Sequence, residues 1–327
     1  KGSTSSRGEN PKRGFFFTGA FVLSSHRNPT PRLNAGLRDT SFPLSLVAGH
    51  ALGVVSLAAS PDGATVASSA LDSHVRVWDA RSHETRVVVA CPPAENWHVA
   101  FVPDAGNRDA SRVLAVAGGA SRSVKLYDVA ETPATASETA SAAERATLRV
   151  PDSLESGGVD ASESLGAKFV QSVAVSADGA LVACGAADGT VAVFDVAAAK
   201  FLHFLEGHAA PVRHVAFSPD GRTLYTACDD GHCHAYAAAD KSLLDALPGH
   251  KGWVLGVAAA SDGNGVATCG ADAAVKLWDV RAGREDVCAQ TASAQREAVW
   301  GVAFSPSRDV LAAVSDDKSV ATFQYVP

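Results

Sequence analysis

The sequence predicts an all-β fold, a β-propeller assembled from repeats, and three observations carry the prediction. One spacing of His, Asp and an aromatic residue recurs down the 327-residue chain at intervals of about 42 residues. Each recurrence contains short runs that alternate apolar and polar residues and end in Asp-Gly or Pro-Asp turns, the pattern of strands joined by hairpins. The composition, 46% hydrophobic against 19% charged, is that of a globular chain, and no run approaches the eighteen apolar residues of a membrane span.

Residues 1–41 stand apart from the repeats. They carry seven Lys and Arg against Glu9 and Asp39, with much Ser, Pro and Asn, and offer one strand candidate, "FFFTGAFVLSS". They read as a disordered, leader-like stretch or an incomplete first blade. From residue 42 to 327 the chain reads as propeller.

In "GHALGVVSLAASPDGATVASSALDSHVRVWD" Asp72 follows His50 by 22 residues and Trp78 follows Asp72 by six. "GHAAPVRHVAFSPDGRTLYTACDDGHCHAY" repeats both intervals at His208, Asp230 and Tyr236, and "GHKGWVLGVAAASDGNGVATCGADAAVKLWDV" repeats them at His250, Asp272 and Trp278. Three further copies are worn. One keeps Asp188 and Phe194 with Gly166 at the His position, one keeps Asp317 and Phe323 with Gln295 there, and one keeps Tyr127-Asp128 and loses both His and Asp. Six copies are therefore readable. Between the second and third, residues 129–165 are rich in Ala, Ser, Thr and Glu and read as a low-complexity insertion around one short strand, "ATLRV".

The spacing has a physical purpose. In a four-stranded blade the His lies before the first strand, the Asp in the turn between the second and third, and the aromatic in the third. A strand-two hydroxyl, Ser68, Thr226 or Thr268, sits four residues before each Asp. His50–Ser68–Asp72–Trp78, His208–Thr226–Asp230 and His250–Thr268–Asp272–Trp278 are thus expected to form hydrogen-bonded latches. A Ser-His-Asp set also suggests a hydrolytic triad, but a triad is needed once, in a cleft, whereas this one recurs at blade spacing. No catalytic residue is expected.

Partners are expected on the face where the first strands begin. The residue following the first-strand Val-type position in each copy should line that rim: Val55, Trp97, Gln171, Arg213, Leu255 and Trp300, with Glu95 and Trp253 in the entering loops. Aromatic and Arg residues of this kind compose interface hot spots. Asp229 and Asp316 precede the latch acids and should add negative charge, suiting a short segment with an Arg and an aromatic. The net charge of −7 excludes a general phosphate-binding surface, so no direct nucleic-acid contact is expected. The six Cys include no Cys-x-x-Cys pair, as in a reducing compartment. "CDDGHCHAY" holds Cys228, His232, Cys233 and His234, but His232 and His234 share one strand face and Cys233 the other, so no metal is expected from them. No cofactor and no homo-oligomer are expected.

Gly-His followed by Asp and Trp-Asp at these intervals resembles the WD-repeat family. The stretches "LGVVSLAASPDGATVASSALDSHVRVWD", "DGTVAVFDVAAAKFLHFLEGHAAPVRHVAFSPD", "GHKGWVLGVAAASDG" and "AVWGVAFSP" resemble one branch of it, the small WD-repeat subunits shared by the superkiller RNA-decay complex and the polymerase-associated-factor (Paf) elongation complex. That resemblance implies seven blades and no enzymatic activity. It also implies a cytoplasmic and nuclear scaffold, in 3'-5' mRNA decay beside a helical-repeat protein and a helicase, and in transcription elongation and histone methylation beside Paf subunits. A second resemblance lies in Trp-Asp-x-Arg at Trp78–Arg81 and Trp278–Arg281, similar to the box by which substrate receptors dock on cullin-type ubiquitin ligases; Arg81 and Arg281 would be the docking residues.

Overall fold

The structure, a computed structural model, describes residues 49–103, 113–129, 140–151, 169–281, 287–305 and 310–325. The expectations for residues 1–41 and for Gly166 fall outside these residues. Strands dominate, and among the described residues no helix is long and apolar enough to cross a membrane.

The described residues form six blades of a β-propeller. Blade 1 contains β1 (Val54–Ala59), β2 (Thr65–Ala70), β3 (His74–Asp79) and β4 (Thr85–Ala90). Blade 2 contains β5 (His98–Val102), β6 (Val113–Gly118) and β7 (Ser123–Asp128); after β8 (Ala140–Ser141) it is completed by β9 (Ala143–Arg149). Blade 3 holds β10 (Val170–Val175), β11 (Leu181–Ala186), β12 (Val191–Asp195) and β13 (Lys200–Leu205). Blade 4 holds β14 (Val212–Phe217), β15 (Thr223–Cys228), β16 (His232–Ala237) and β17 (Leu243–Pro248). Blade 5 holds β18 (Val254–Ala259), β19 (Gly265–Gly270), β20 (Val275–Asp279) and β21 (Val287–Ala292). Blade 6 has three described strands, β22 (Val299–Phe304), β23 (Val310–Ser315) and β24 (Val320–Gln324). The seventh blade implied by the resemblance is not among the described residues.

The low-complexity stretch contributes more strand than its composition suggests. β9 extends "ATLRV" toward the N-terminus as the outer strand of blade 2. β8 runs parallel to β4, pairing Ala140 with Val87 and Ser141 with Val88, and so covers an outer edge of blade 1 that would otherwise be open.

Blades pack in series through five apolar clusters, one at each junction from blade 1–2 to blade 5–6. Val, Ala and Leu alternate inward on the middle strands, and Phe194, Tyr236 and Trp278 fill the widest gaps. No such cluster joins blade 6 to blade 1 among the described residues, and every residue of β24 keeps some exposure. Five of the six Cys are buried in these seams or strands and all six are free.

Two local rules place the functional side chains. The first strands carry a bulge near their start in blades 1, 3, 4, 5 and 6, which turns Val55, Gln171, Arg213, Leu255 and Trp300 out of the ladder. The residue after the latch aspartate takes positive φ: Ser73, Gly189, Gly231, Ala273 and Lys318. Gly meets that demand without strain at two of the five, and at all five the aspartate fixes the turn by accepting the N–H two residues on.

A further set of cross-blade bonds rings the axis. The residue after each bulge faces the next blade, and Ser56 Oγ, His98 Nδ1 and His214 Nδ1 accept the N–H of Val99, Val173 and Val257 at 3.2, 3.3 and 3.4 Å. Asn96 bolts blade 2 to blade 1 by donating from Nδ2 to Ser69 Oγ and to the carbonyls of Ala70 and His74.

Candidate functional site

The latches form in blades 1 and 5 with one polarity. Trp78 Nε1–H donates to Ser68 Oγ at 2.7 Å, Ser68 donates to His50 Nε2 at 2.8 Å, and His50 Nδ1–H donates to the Asp72 carboxylate at 3.1 Å. Blade 5 repeats the chain from Trp278 through Thr268 and His250 to Asp272, at 2.9, 2.8 and 2.9 Å. The order requires neutral imidazoles, and burial holds both His50 and His250 below their ordinary pKa despite the adjacent carboxylates. Burial disfavours the Asp72 and Asp272 charges, yet the N–H groups of Ala51 and Lys251 together with the His donors hold both acids below the usual carboxylate range.

Blade 4 keeps His208 Nδ1 to Asp230 and His208 Nε2 to Thr226, both at 2.7 Å. Its aromatic departs from the rule: the Tyr236 hydroxyl meets His234 Nδ1 at 3.0 Å instead of the latch hydroxyl. In the worn blade 6, Gln295 donates to the Ala313 carbonyl while Asp317 accepts the Arg296 N–H. Blade 3 leaves Asp188 with the Thr190 N–H. These carboxylates therefore organise turns and loops, and between blades 3 and 4 Asp188 and His208 also line one cavity together with Arg122 and Glu206.

On the rim the structure brings Gln171, Arg213, Asp229 and Trp253 together. Arg213 clamps Asp229 with Nε and Nη2 at 2.8 and 2.5 Å, donates to Gln171 Oε1 at 3.4 Å, and lies 5.5 Å from the Trp253 ring centroid. The paired Asp229 raises the Arg213 pKa. This corrects one expectation: Asp229 is satisfied by its own neighbour and offers no free charge to a partner, while Asp316 alone of the two turn acids is exposed. Leu255 and Gln171 also sit deeper than a rim position suggests, although they share the bulge of the more exposed Val55, Arg213 and Trp300.

Trp97, 37% exposed, packs edge-on against Phe169, and Trp253 is 53% exposed. Leu52 and Leu71 are exposed in the blade 1 loops; Leu71 stands at the position that Asp229 and Asp316 hold in blades 4 and 6, where sequence reasoning looked only for charge. Three buried polar atoms of rim residues have no hydrogen-bond partner: Glu95 Oε2, Gln171 Nε2 and Trp300 Nε1. A buried polar atom left unsatisfied costs roughly 1–3 kcal/mol, and all three atoms lie beneath the surface.

Five segments, 41–79, 163–195, 199–236, 241–279 and 286–322, match the family described as "WD domain, G-beta repeat", and they cover more than half of the chain. The chain belongs to the WD-repeat family. Its similarity to "WD repeat-containing protein VIP3" of Arabidopsis thaliana is 46% identity over 165 residues, 50% of this chain and 46% of that protein. Against "WD repeat-containing protein SL1-17" of Schistosoma mansoni it is 34% over 165 residues, 50% and 44% of the two chains. The matched region thus spans about half the length of either relative. The WD-repeat propeller is typically a non-catalytic fold for protein interaction.

The two Trp-Asp-x-Arg boxes of this WD-repeat protein differ. Arg281 folds back on Asp279, with Nε at 2.7 Å from Oδ1 and Nη2 on Oδ2. In the first box Asp79 is taken by Arg86, and Arg81 is exposed. Cys233 is buried in the seam between blades 4 and 5, away from His232 and His234 as the strand alternation requires. The grouping the structure does assemble is His208, Cys228 and Asp230, whose ligand-type atoms all lie within 4.8 Å of one another. That trio draws on the loop before β14, the end of β15 and the turn that follows it, and no local motif announces it.

Proposed function

We propose that the protein is a non-enzymatic scaffold that presents its rim to peptide-like segments of partner proteins, as the small WD-repeat subunit of a superkiller-type mRNA-decay complex and of a Paf-type elongation complex. The observation that carries the binding role is the pair of exposed indoles, Trp97 and Trp253, on the face that also holds Arg213. An apolar side chain of a partner would cover the Trp faces, and a basic one would be drawn to Glu95 at their side. The fixed Arg213–Asp229 clamp keeps the platform rigid, so little conformational freedom is lost on binding. Support for the two complexes comes from the sequence resemblance and the likeness to VIP3.

The ligase-receptor reading has less support, since Arg281 is already paired within its own turn. Identifying proteins that co-purify with the full chain tests the assignment: helicase and helical-repeat subunits support RNA decay, polymerase-associated factors support elongation, and a ligase adaptor overturns both. Trp97→Ala combined with Trp300→Ala should weaken capture of the helical-repeat or Paf partner by tenfold or more, of the order expected for hot-spot truncation. Unchanged capture by that double variant places the site elsewhere.

A further inference from the structure

Blade 4 departs from the latches of both blades 1 and 5 in three side chains, Cys228, His234 and Tyr236, and keeps a histidine, His232, at a position where blade 1 has one too. Two residues before the latch aspartate, Ala70 and Gly270 give way to Cys228. Two residues after it stands His232, where blade 1 has His74 and blade 5 Ala274, and four after it Arg76 and Lys276 give way to His234. The latch aromatic is Tyr236 in place of Trp78 and Trp278. His208, Cys228 and Asp230 hold their donor atoms within 4.8 Å of one another, and His232 Nδ1 lies 3.5 Å from Asp230 Oδ1.

We propose that His208, Cys228 and Asp230, with His232 as the fourth ligand, form a binding site for a thiolate-accepting transition-metal dication of the Zn²⁺ type. Bonds of about 2.0–2.3 Å in a tetrahedral site bring ligand atoms to separations that the present spacing needs only small side-chain rotations to reach. A mixed nitrogen, sulfur and oxygen set selects such ions over Ca²⁺ or Mg²⁺. One thiolate and one carboxylate neutralise the dication.

Two features make blade 4 fit for this where blades 1 and 5 are not. In those blades a cation, Arg76 or Lys276, stands near the latch imidazole and would repel a metal ion. In blade 4 its place is taken by the His234 ring, stacked on His208 with centroids 4.0 Å apart. The second feature is the tautomer. In blades 1 and 5 the Trp indole donates to the latch hydroxyl, so that hydroxyl must donate to the imidazole and the imidazole proton must stay on Nδ1. Thr226 receives no such indole bond, and the His234 carbonyl lies 3.4 Å from its Oγ1. The His208 proton can therefore move to Nε2 and be donated to Thr226, whose own hydroxyl turns to the His234 carbonyl, leaving the Nδ1 lone pair for the metal. The Cys228 thiol, now donating to the Ala210 carbonyl at 3.2 Å, gives its proton to solvent. Entry is from the surface: the His232 side chain is 45% exposed and Asp230 26%, while His208 and Cys228 close the inner side.

Titration of the tag-free full chain with Co²⁺ tests the site, because thiolate ligation gives a charge-transfer band in the near ultraviolet. The expected result is that band at one ion per chain, displaced by Zn²⁺. Cys228→Ser should abolish it, Cys288→Ser should leave it, and His232→Ala, a surface change compatible with folding, should weaken Co²⁺ binding by about tenfold or more. The inference is overturned if wild-type protein gives no band at excess Co²⁺, or if the band persists in Cys228→Ser. It is also overturned if His232→Ala binds as wild type. None of these outcomes depends on the rim.

Discussion

Replacing Asp272 by Ala removes the acceptor on which the blade 5 latch converges. Its carboxylate takes the His250 Nδ1–H at 2.9 Å, the Lys251 N–H at 2.9 Å and the Ala274 N–H at 3.2 Å. The Lys251 amide is exposed and finds water, so its loss is minor. The His250 side chain is 1% exposed, and its donor is left unsatisfied at a cost of roughly 1–3 kcal/mol. Adding a partial contribution from Ala274, the change should destabilise the protein by about 2–3 kcal/mol. With an unfolding entropy of about 2 cal/mol/K per residue, a cooperative domain of this size loses about 3–5 °C in its melting midpoint. Calorimetry on wild type and variant measures this. Asp188→Ala is the internal control, because Asp188 accepts the Thr190 N–H and its copy has no histidine in sequence; it should cost about 1 kcal/mol or less. An Asp272→Ala midpoint equal to that of wild type, or an Asp188→Ala loss of equal size, would refute the latch argument.

Stability should also fall in mild acid. Burial, and for His98 also the facing His214, pushes the pKa of these two residues down to about 3 and about 4, and burial lowers His50, His208 and His250 as well. An unfolded chain binds protons at these sites from about pH 6.5 downward while the folded one does not, so each group removes up to about 1.4 kcal/mol per pH unit between its unfolded and folded values. The latch acids, lowered when folded, add a further loss only near and below the ordinary carboxylate range. Denaturant midpoints at about pH 7.5 and about pH 5 should therefore differ, the lower pH being weaker, and equal midpoints contradict the buried neutral imidazoles. Glu95→Gln should leave the midpoint nearly unchanged and weaken a basic partner segment by tenfold or more, read by titration of the captured partner. Ala273→Gly should stabilise slightly, by about 0.5 kcal/mol, since Ala273 holds a φ of 60° that glycine adopts freely.

The blade repeat was legible because its latch needs three side-chain types at fixed intervals, and His50, Asp72, Trp78 and their counterparts met across strands as the spacing required. The bulged rim positions were legible for a related reason: the Val before each of them anchors the register. What stayed hidden was pairing across that frame. Asp229 looked like free charge until Arg213, 16 residues earlier, closed on it. Asn96 and the ring of Ser56, His98 and His214 act between blades, and their partners depend on how neighbouring sheets are set. A signal did exist, since a polar residue follows the rim position in four consecutive copies: Ser56, His98, Ser172 and His214. The His208–Cys228–Asp230 grouping draws on a loop, on the end of β15 and on the turn that follows it, and only the folded blade makes them adjacent.

The apolar seams give the molecule a direction. Each inner blade leans on two neighbours, whereas the first and last sheets lean on one apiece among the described residues. In an array held by nearest-neighbour contacts, a sheet packed on both sides opens last. Amide protons of β11 and β15 should accordingly be among the slowest to exchange, which makes the middle of the chain its keel.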